Sequence, residues 1–435
     1  MTILEVLLWS RLVGNLFFDT DKNQVFFRYD REFLNGSLDI APLLMPLNGK
    51  TNIYSFPTLS EETFKGLPPV FSDSLPDKFG NAILNTWLQE QGKLITDLNP
   101  LERLSYIGKR GMGALEYMPP QRGLSPSGGR IVISDIVKIA KEVLNSKTSA
   151  GAKLESLDSI LHIGTSAGGA RAKAIIAIDP NGKEVYSGDI LHKNPEITYH
   201  IMKIDGVKDL EGRQSDGYGR IEFAYYQMAR ASGIDMAESK LYEENGRAHF
   251  MTERFDRSNG QKIHMATLNS IANMDYNEPL AHSYEQCFGV MAKMGLSQLD
   301  MKKQYRRMVF NVLARNLDDH TKNISFLMDS KGNWGLSPAY DVTFAYDTKN
   351  RWLRQHQMSV NGKRNNLDRV DLMKVANGLD PRTKRTIIEQ AVDGVSLWGK
   401  ISKGLGIPRE TIEEIESHLK YGEIHRQRMR KGKSL

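Results

Sequence analysis

The sequence predicts an α+β protein of two lobes, in which an N-terminal mixed α/β subdomain precedes a strand-rich small lobe and a mostly helical C-terminal lobe. Three observations predict it. A glycine-rich stretch, Gly164-Thr165-Ser166-Ala167-Gly168-Gly169-Ala170, lies between two apolar, β-branched runs, and a third such run carries a lysine. An acid and an amide spaced D-x-x-x-x-N, Asp318 and Asn323, precede a strand–turn–strand pattern that leads to Asp341. Short strands and turns dominate the first half, whereas helical spacing dominates the second.

In chain order, Ile3 to Trp9 is mostly apolar with no basic run before it and is interrupted by Glu5, so it reads as a first strand rather than a signal peptide. Residues 1–122 mix strands, turns and one helix, Lys78 to Lys93, and end near Pro119-Pro120. Residues 123–150 are a linker and connecting helix. Gly123 to Gly129 has linker composition, and Ile133 to Leu144 reads as an amphipathic helix with Ile136, Val137, Ile139, Ala140, Val143 and Leu144 on its apolar side. The small lobe, 151–255, carries strands at Ser159–Ile163, Lys173–Ile178 and Tyr199–Ile204, with Asn181-Gly182 as a turn. A helix over Arg220–Ala231 follows, with Glu222 in its first turn. The large lobe, 256–435, holds the end of an apolar helix at Val309–Leu313. Next come a strand at Ile324–Met328, a turn at Asp329–Asn333, a return strand at Trp334–Leu336 and a final helix at Thr411–Tyr421.

The order of these parts is that of a protein-kinase-like fold: phosphate loop, strand lysine, catalytic aspartate, then two metal-binding residues. Phosphoryl transfer through a loose transition state needs positioning and charge neutralisation more than covalent help. Magnesium, a hard cation, is satisfied by one or two carboxylates, an amide oxygen and waters, which suits Asp341 and Asn323. Asp318 and Asp319 are adjacent candidates for the general base, and counting back from Asn323 favours Asp318. The plain alternative is that Asp and Asn here only cap loops, as their short side chains commonly do. The glycine loop has competing readings too. Gly164-x-x-x-x-Gly169 is followed by Ala170-Arg171, where a P-loop needs Lys-Ser/Thr and a helix start. A Rossmann turn also needs a helix next, and the run after Lys173 is apolar and partly β-branched. A glycine-rich hairpin with no ligand stays open as a reading. Lys203 has a plain alternative as well, an edge-strand lysine extending into solvent. Glu222 is a candidate partner for it, although a first-turn Glu is favoured by the helix dipole alone.

Several blocks in order then resemble the HipA family of toxin serine/threonine kinases. Ser166-Ala167-Gly168-Gly169-Ala170-Arg171-Ala172-Lys173 is similar to the family's S-x-x-G-A-x-x-K loop, and Arg254-Phe255-Asp256-Arg257 to its R-F-D-R signature. Asp318 to Asn323 resembles D-x-H-x-K-N, and Ser337-Pro338-Ala339-Tyr340-Asp341 resembles S-P-A-Y-D. Ser359-Val360-Asn361-Gly362-Lys363 fits a further block, and Phe71 to Asp77 with Ile107-Gly108 fits the family's N-terminal domain. Asp319 departs from the small residue common at its position.

The resemblance implies ATP and Mg²⁺ as cofactors. It implies Asp318 as general base, with Lys322 and His320 as further catalytic-loop positions; Lys322 would neutralise phosphate and His320 would pack. Asn323 and Asp341 would hold magnesium, and Lys203 the α/β-phosphates. Gly164, Thr165, Ser166, Ala167 and Gly168 would form the phosphate loop, while Glu253 and Phe255 would meet adenine through their backbone. Ser166 falls on the serine this family autophosphorylates, with Thr165 beside it as the alternative; phosphate there would occupy the ATP phosphate region and switch the enzyme off. The implied partners are a protein substrate with a Ser/Thr acceptor, such as an aminoacyl-tRNA synthetase, and a helix-turn-helix antitoxin of HipB type on operator DNA. The competing class is a degenerate kinase kept as an antitoxin-binding co-repressor. Lys203, Asp318, Asn323 and Asp341 are all present, which favours the enzyme.

Composition is compatible with this. A chain of 435 residues is expected to form two or three domains. Cys287 is the only cysteine, which excludes an intrachain disulfide and points to a reducing, cytoplasmic location. No run reaches the roughly 18 apolar residues of a membrane span, so no membrane role is expected. The basic run from His425 to Lys433 reads as a solvated helix end before it reads as a nucleic-acid contact.

Overall fold

The computed structural model describes residues 2–49, 51–76, 78–121, 129–145, 171–189, 191–207 and 216–431. The glycine-rich loop Gly164–Ala170, the strand expected at Ser159–Ile163, Asp77 and most of the 123–129 linker lie outside the described residues. The chain divides into two compact units. One comprises Met1–Gly219, Lys240–Ala266 and Leu327–Asn333, and the other Arg220–Ser239, Thr267–Phe326 and Trp334–Leu435.

The first unit contains two five-stranded sheets. The strands β1 (Thr2–Leu8), β2 (Arg11–Asp19), β3 (Gln24–Tyr29), β4 (Ile53–Tyr54) and β5 (Leu115–Met118) lie in the order β4–β3–β2–β1–β5. Alternation decides which face is covered: Leu4, Val6 and Leu8 on β1 and Val25, Phe27 and Tyr29 on β3 are buried at period two. In the second sheet, β6 (Lys173–Ile178), β7 (Val185–Ser187), β8 (Thr198–Lys203), β9 (Ser239–Glu244) and β10 (Arg247–Glu253) run β7–β6–β8–β10–β9. All of β6 is buried, as the apolar run Ala174–Ile178 requires, and Lys173 at its start is buried with it. Helices Lys78–Glu90 and Ile133–Asn145 join this sheet's core, with Ile83, Leu88, Val137 and Ala140 clustering with Ala174, Ile176 and Met202. After the glycine-rich stretch the chain enters strand β6 at Lys173, where a P-loop would start a helix.

The R-F-D-R block ties the two sheets' loops together. Asp256 accepts from Arg254 Nε at 2.9 Å and Nη2 at 2.8 Å, from Arg257 Nη1 at 2.9 Å and from the Gly113 N–H at 2.8 Å. Arg257 in turn donates to the carbonyls of Gly111 and Gly113, both at 3.0 Å. The Asp256 side chain is fully buried, so a charge that would cost several kcal/mol alone is tolerated because it is paired and hydrogen-bonded.

The second unit is mostly helical. Its main helices are Tyr284–Lys293, Gln298–Ala314, Pro381–Val395 and Arg409–His418. Ser283 with Gln286 and Ser297 with Asp300 form capping boxes, and Asp380 caps a helix that starts on Pro381. Such caps stabilise a helix start by about 1 kcal/mol each. Helix Gln298–Ala314 stops where Arg315 turns left-handed, at φ 56°, and releases the chain into the Asp318 segment.

Three expectations need correction. The N-terminal region holds further helices, among them Pro100–Ile107, whose Asn99-Pro100-x-Glu102 start is a proline-led capping box. The helix expected at Thr411–Tyr421 is Arg409–His418, and a separate helix, Tyr421–Lys431, follows it. Leu419 breaks the two in an extended conformation, and the Lys420 N–H turns to the Leu313 carbonyl at 2.8 Å. The helix carrying Glu222 begins at Tyr218, which puts Glu222 in the second turn and weakens the helix-dipole explanation for it.

Candidate active site

The second unit gathers most of the chemistry-bearing residues along one short run of chain. After Arg315 the chain passes Asp318, makes a single 3₁₀ turn at Thr321–Asn323 and enters the strand Ser325–Met328. The return strand is Trp334–Leu336, and Ser337 to Asp341 follows it. Asp318, Asp319, His320, Asn323, Tyr340 and Asp341 line the same cleft, as do the buried Asn316 and Arg307.

Each part is held by identifiable contacts. The Asn323 side-chain N–H donates to the Asp318 carbonyl at 2.8 Å, which leaves the amide oxygen as its ligand end. Thr321 Oγ1 donates to the Met274 carbonyl at 2.6 Å and seats the 3₁₀ turn. The Ser337–Asp341 segment is fastened at several points. Ser337 N–H donates to Ser325 O at 3.0 Å, Ala339 N–H to Asp235 O at 2.8 Å, and Tyr340 Oη to Lys322 O at 2.6 Å. The buried Arg307 supplies another, donating to Ser337 O. Asp341 itself sits at φ 55°, a left-handed conformation that costs roughly 1 kcal/mol and that Asp tolerates better than most residues.

The two adjacent acids differ sharply. The Asp318 side chain is 48% exposed, and His320 Nε2 approaches it at 3.9 Å. The Asp319 side chain is 1% exposed and accepts from Tyr284 Oη, His356 Nδ1 and the Gln357 N–H, each at 2.8 Å. Only Asp318 presents its carboxylate to the outside. His320 packs its ring against Tyr276, 5.4 Å between centroids, and Lys322 Nζ lies 5.1 Å from the same ring. Lys322 stands outside the lining of the cleft.

The first unit carries the other candidates. Lys203 ends β8, an interior strand, which removes the edge-strand alternative. Its Cα partner on β6 is Lys173, and on β10 it is Phe250. Two lysines therefore face the same side of the sheet. Lys173 was not assigned from sequence, because only the register reveals the pairing. Glu253 ends β10, and the Arg254 N–H donates to Tyr199 O at 2.7 Å. Glu222, in the second unit, is 3% exposed. Gly164, Thr165, Ser166, Ala167 and Gly168 lie outside the described residues.

Residues 4–118 match the HipA N-terminal domain, and residues 165–398 match the HipA-like C-terminal domain. The chain belongs to the HipA family. Among curated proteins it is similar to two from Sinorhizobium fredii. "Putative kinase Y4dM" is 24% identical over 244 residues, 51% of this chain and 58% of that one. "Putative kinase Y4mE" is 29% identical over 132 residues, 28% and 31% respectively. The chain thus spans less than two thirds of the length of either. Among solved structures, a chain in the Shewanella oneidensis MR-1 complex of HipA, HipB and operator DNA superposes with a TM-score of 0.67 at 18% identity, covering 95% of this chain and 94% of that one. The fold is accordingly the α+β HipA fold. Every candidate from Thr165 to Asp341 falls inside the HipA-like C-terminal match.

The donor set at the HipA-type cleft fits magnesium. Asp341 offers a carboxylate and Asn323 an amide oxygen, both hard donors. No cluster of three or more His, Cys, Asp or Glu side chains able to hold a metal occurs among the described residues. Two protein ligands are what Mg²⁺ takes where phosphate oxygens and waters complete its shell.

Proposed function

We propose that the chain is an ATP- and Mg²⁺-dependent protein serine/threonine kinase acting as a toxin of the HipA type. The observation that carries this reading is one cleft lined by Asp318, Asn323 and Asp341, where the neighbouring Asp319 side chain is buried and held by hydrogen bonds while that of Asp318 is half exposed. Asp318 takes the acceptor hydroxyl's proton, since its carboxylate is the exposed one of the pair. Asn323 and Asp341 hold magnesium, which when bound supplies neutralisation of phosphate charge. Lys203 pairs with the α/β-phosphates, and Glu253 and Phe255 present backbone to adenine. Lys322 and His320 support the catalytic loop, and Glu222 is the partner assigned to Lys203. Family membership and two relatives named as kinases support the reaction class.

Ser166 is the proposed autophosphorylation site, with Thr165 as the neighbouring alternative, and phosphate there shuts the enzyme off. The protein target carries a Ser/Thr acceptor, with an aminoacyl-tRNA synthetase as the first to test. A HipB-type antitoxin and operator DNA are the proposed partners, on the likeness to the S. oneidensis complex. That likeness also supports a second reading, an antitoxin-binding co-repressor with little catalysis. The proposed site of action is the cytoplasm; among the described residues no helix is long and apolar enough to cross a membrane.

Intact-mass and phosphopeptide measurements with and without Mg-ATP test the reading. The parent should gain phosphate in the Thr165–Ser166 peptide. Asp318→Gln should gain none while binding ATP within about threefold of the parent, because a general base contributes mainly in the transition state. Asp341→Asn should lose magnesium-dependent nucleotide binding as well. Equal phosphorylation of parent and Asp318→Gln would remove the site; absence of both transfer and ATP binding in the parent would put the co-repressor reading ahead.

A further inference from the structure

Asp319 stands directly beside the proposed base yet belongs to a buried polar relay drawn from distant parts of the second unit. Asn316 Nδ2 donates to Asn311 Oδ1 at 3.0 Å, and Asn311 Nδ2 donates to Tyr284 Oη at 3.1 Å. Tyr284 Oη donates to Asp319 Oδ2, which also accepts from His356 Nδ1, while the Gln357 N–H donates to Oδ1. A carboxylate only accepts, so His356 must carry its proton on Nδ1 and every hydrogen bond in the relay runs toward Asp319. Burial and the Asp319 charge push the Tyr284 phenol well up from its ordinary value, which keeps it a donor.

The far side of the relay is itself anchored. Val360 and Lys363 exchange backbone hydrogen bonds, Val360 N–H to Lys363 O at 2.8 Å and Lys363 N–H to Val360 O at 3.0 Å. The turn between them is Asn361-Gly362, both at positive φ, the two-residue hairpin chemistry. Tyr284 N–H donates to Ser359 O at 2.9 Å, and Asn361 Nδ2 to Asp371 Oδ1 at 2.8 Å. The segment that presents His356 and Gln357 is thus fixed to the helix that presents Tyr284. On the near side, the Asp318–Asp319 peptide is gripped twice, at its carbonyl by Asn323 and at the following side chain by the relay.

We propose that Asp319 is a positioning residue: held by Tyr284 and His356, its buried carboxylate sets where the Asp318 carboxylate and the Asn323 amide stand. The proposal rests on the kinase reading of the cleft and adds to it a role for Asp319, Tyr284, His356 and the Asn361-Gly362 turn. It explains why an acid occupies this position, since Asn at 319 would turn an N–H₂ toward one of three converging donors.

The test uses the full chain with Asp319→Asn and Tyr284→Phe, read by steady-state phosphoryl transfer and by backbone hydrogen exchange over residues 316–323. Asp319→Asn should lower kcat about 100-fold, the scale of a misplaced reacting group, with KM for ATP moved less than about threefold. Exchange at 316–323 should speed up about tenfold while distant helices keep their protection. Tyr284→Phe removes one bond of three and should give a smaller change of the same pattern; it decides the matter if Asp319→Asn fails to fold. Parent-like kcat in the variants would overturn the proposal, as would lost kcat with unchanged local exchange. A parent that transfers no phosphate would sink the kinase reading instead, and exchange alone would then decide whether Asp319 orders the loop.

Discussion

Asp318 and Asp319 are the same residue type one position apart, and the fold gives them opposite fates. Spacing from Asn323 pointed to Asp318 in the sequence. The burial of Asp319 was not legible there, because its side-chain partners Tyr284 and His356 lie 35 and 37 residues away along the chain. Asp256 illustrates the same limit. Its motif was visible, but its place between two buried guanidiniums and against the Gly113 backbone is a long-range fact, 143 residues apart. The two arginines hold its carboxyl well below the usual carboxylate range against the opposing effect of burial. Burial pushes Arg257 down to about 10, and the neighbouring Arg254 charge adds to it. Asp256→Ala leaves both cations buried without a counter-charge. It should destabilise the first unit by about 3–5 kcal/mol, the range for breaking a buried pair. Urea denaturation would measure this, and a loss under about 1 kcal/mol would mean the arginines find other compensation.

Elements carried by strong local periodicity were readable. Strand β6 falls over its predicted residues, Lys173–Ile178, and helix Ile133–Asn145 extends its prediction by one residue. Elements that depend on end chemistry were harder: Pro100–Ile107 had a visible cap but only eight residues, too few for periodicity to stand out. Tyr421–Lys431 is a polar, basic stretch with no clear apolar stripe to mark it. Strand register is a further level that no local pattern encodes, which is why Lys173 was seen opposite Lys203 only in three dimensions. Gly113 shows how an element contact constrains one backbone position. It sits at φ 74°, and a Cβ there would meet the Met265 backbone nitrogen at 2.9 Å. Its N–H and carbonyl both serve the R-F-D-R block. Gly113→Ala therefore combines a left-handed penalty of about 1–2 kcal/mol with a backbone clash that cannot relax by rotating a side chain. The melting temperature should fall by several degrees. Gly182→Ala, also at positive φ but with nothing within 4 Å, should cost only the conformational part.

At the scale of the whole molecule, the sequence was most informative where several weak motifs stood in one order, because their joint spacing constrains the fold more than any one does. The response to acid is a property of the assembled fold and could not be read that way. His200 and His264 are both buried, and desolvation pushes each from 6.5 down to about 4; at His200 the nearby Lys240 charge adds to it. The folded state thus binds fewer protons than the unfolded chain between those values. Stability should be fully present above about pH 6.5 and decline as pH falls toward 4, by at most about 1.4 kcal/mol per pH unit for each histidine. Asp256 acts lower. Its folded value is depressed, so its contribution holds above the unfolded carboxylate value of about 4 and drains away below it. Two acid stages should therefore appear in urea midpoints measured from pH 8 to pH 3. The upper stage should shrink in His200→Gln, and the lower one should shrink in Asp256→Ala, the remainder coming from other depressed carboxylates such as Asp371. A flat midpoint between pH 7 and pH 4.5 in the parent would show that the two imidazoles reach solvent and take up protons without unfolding.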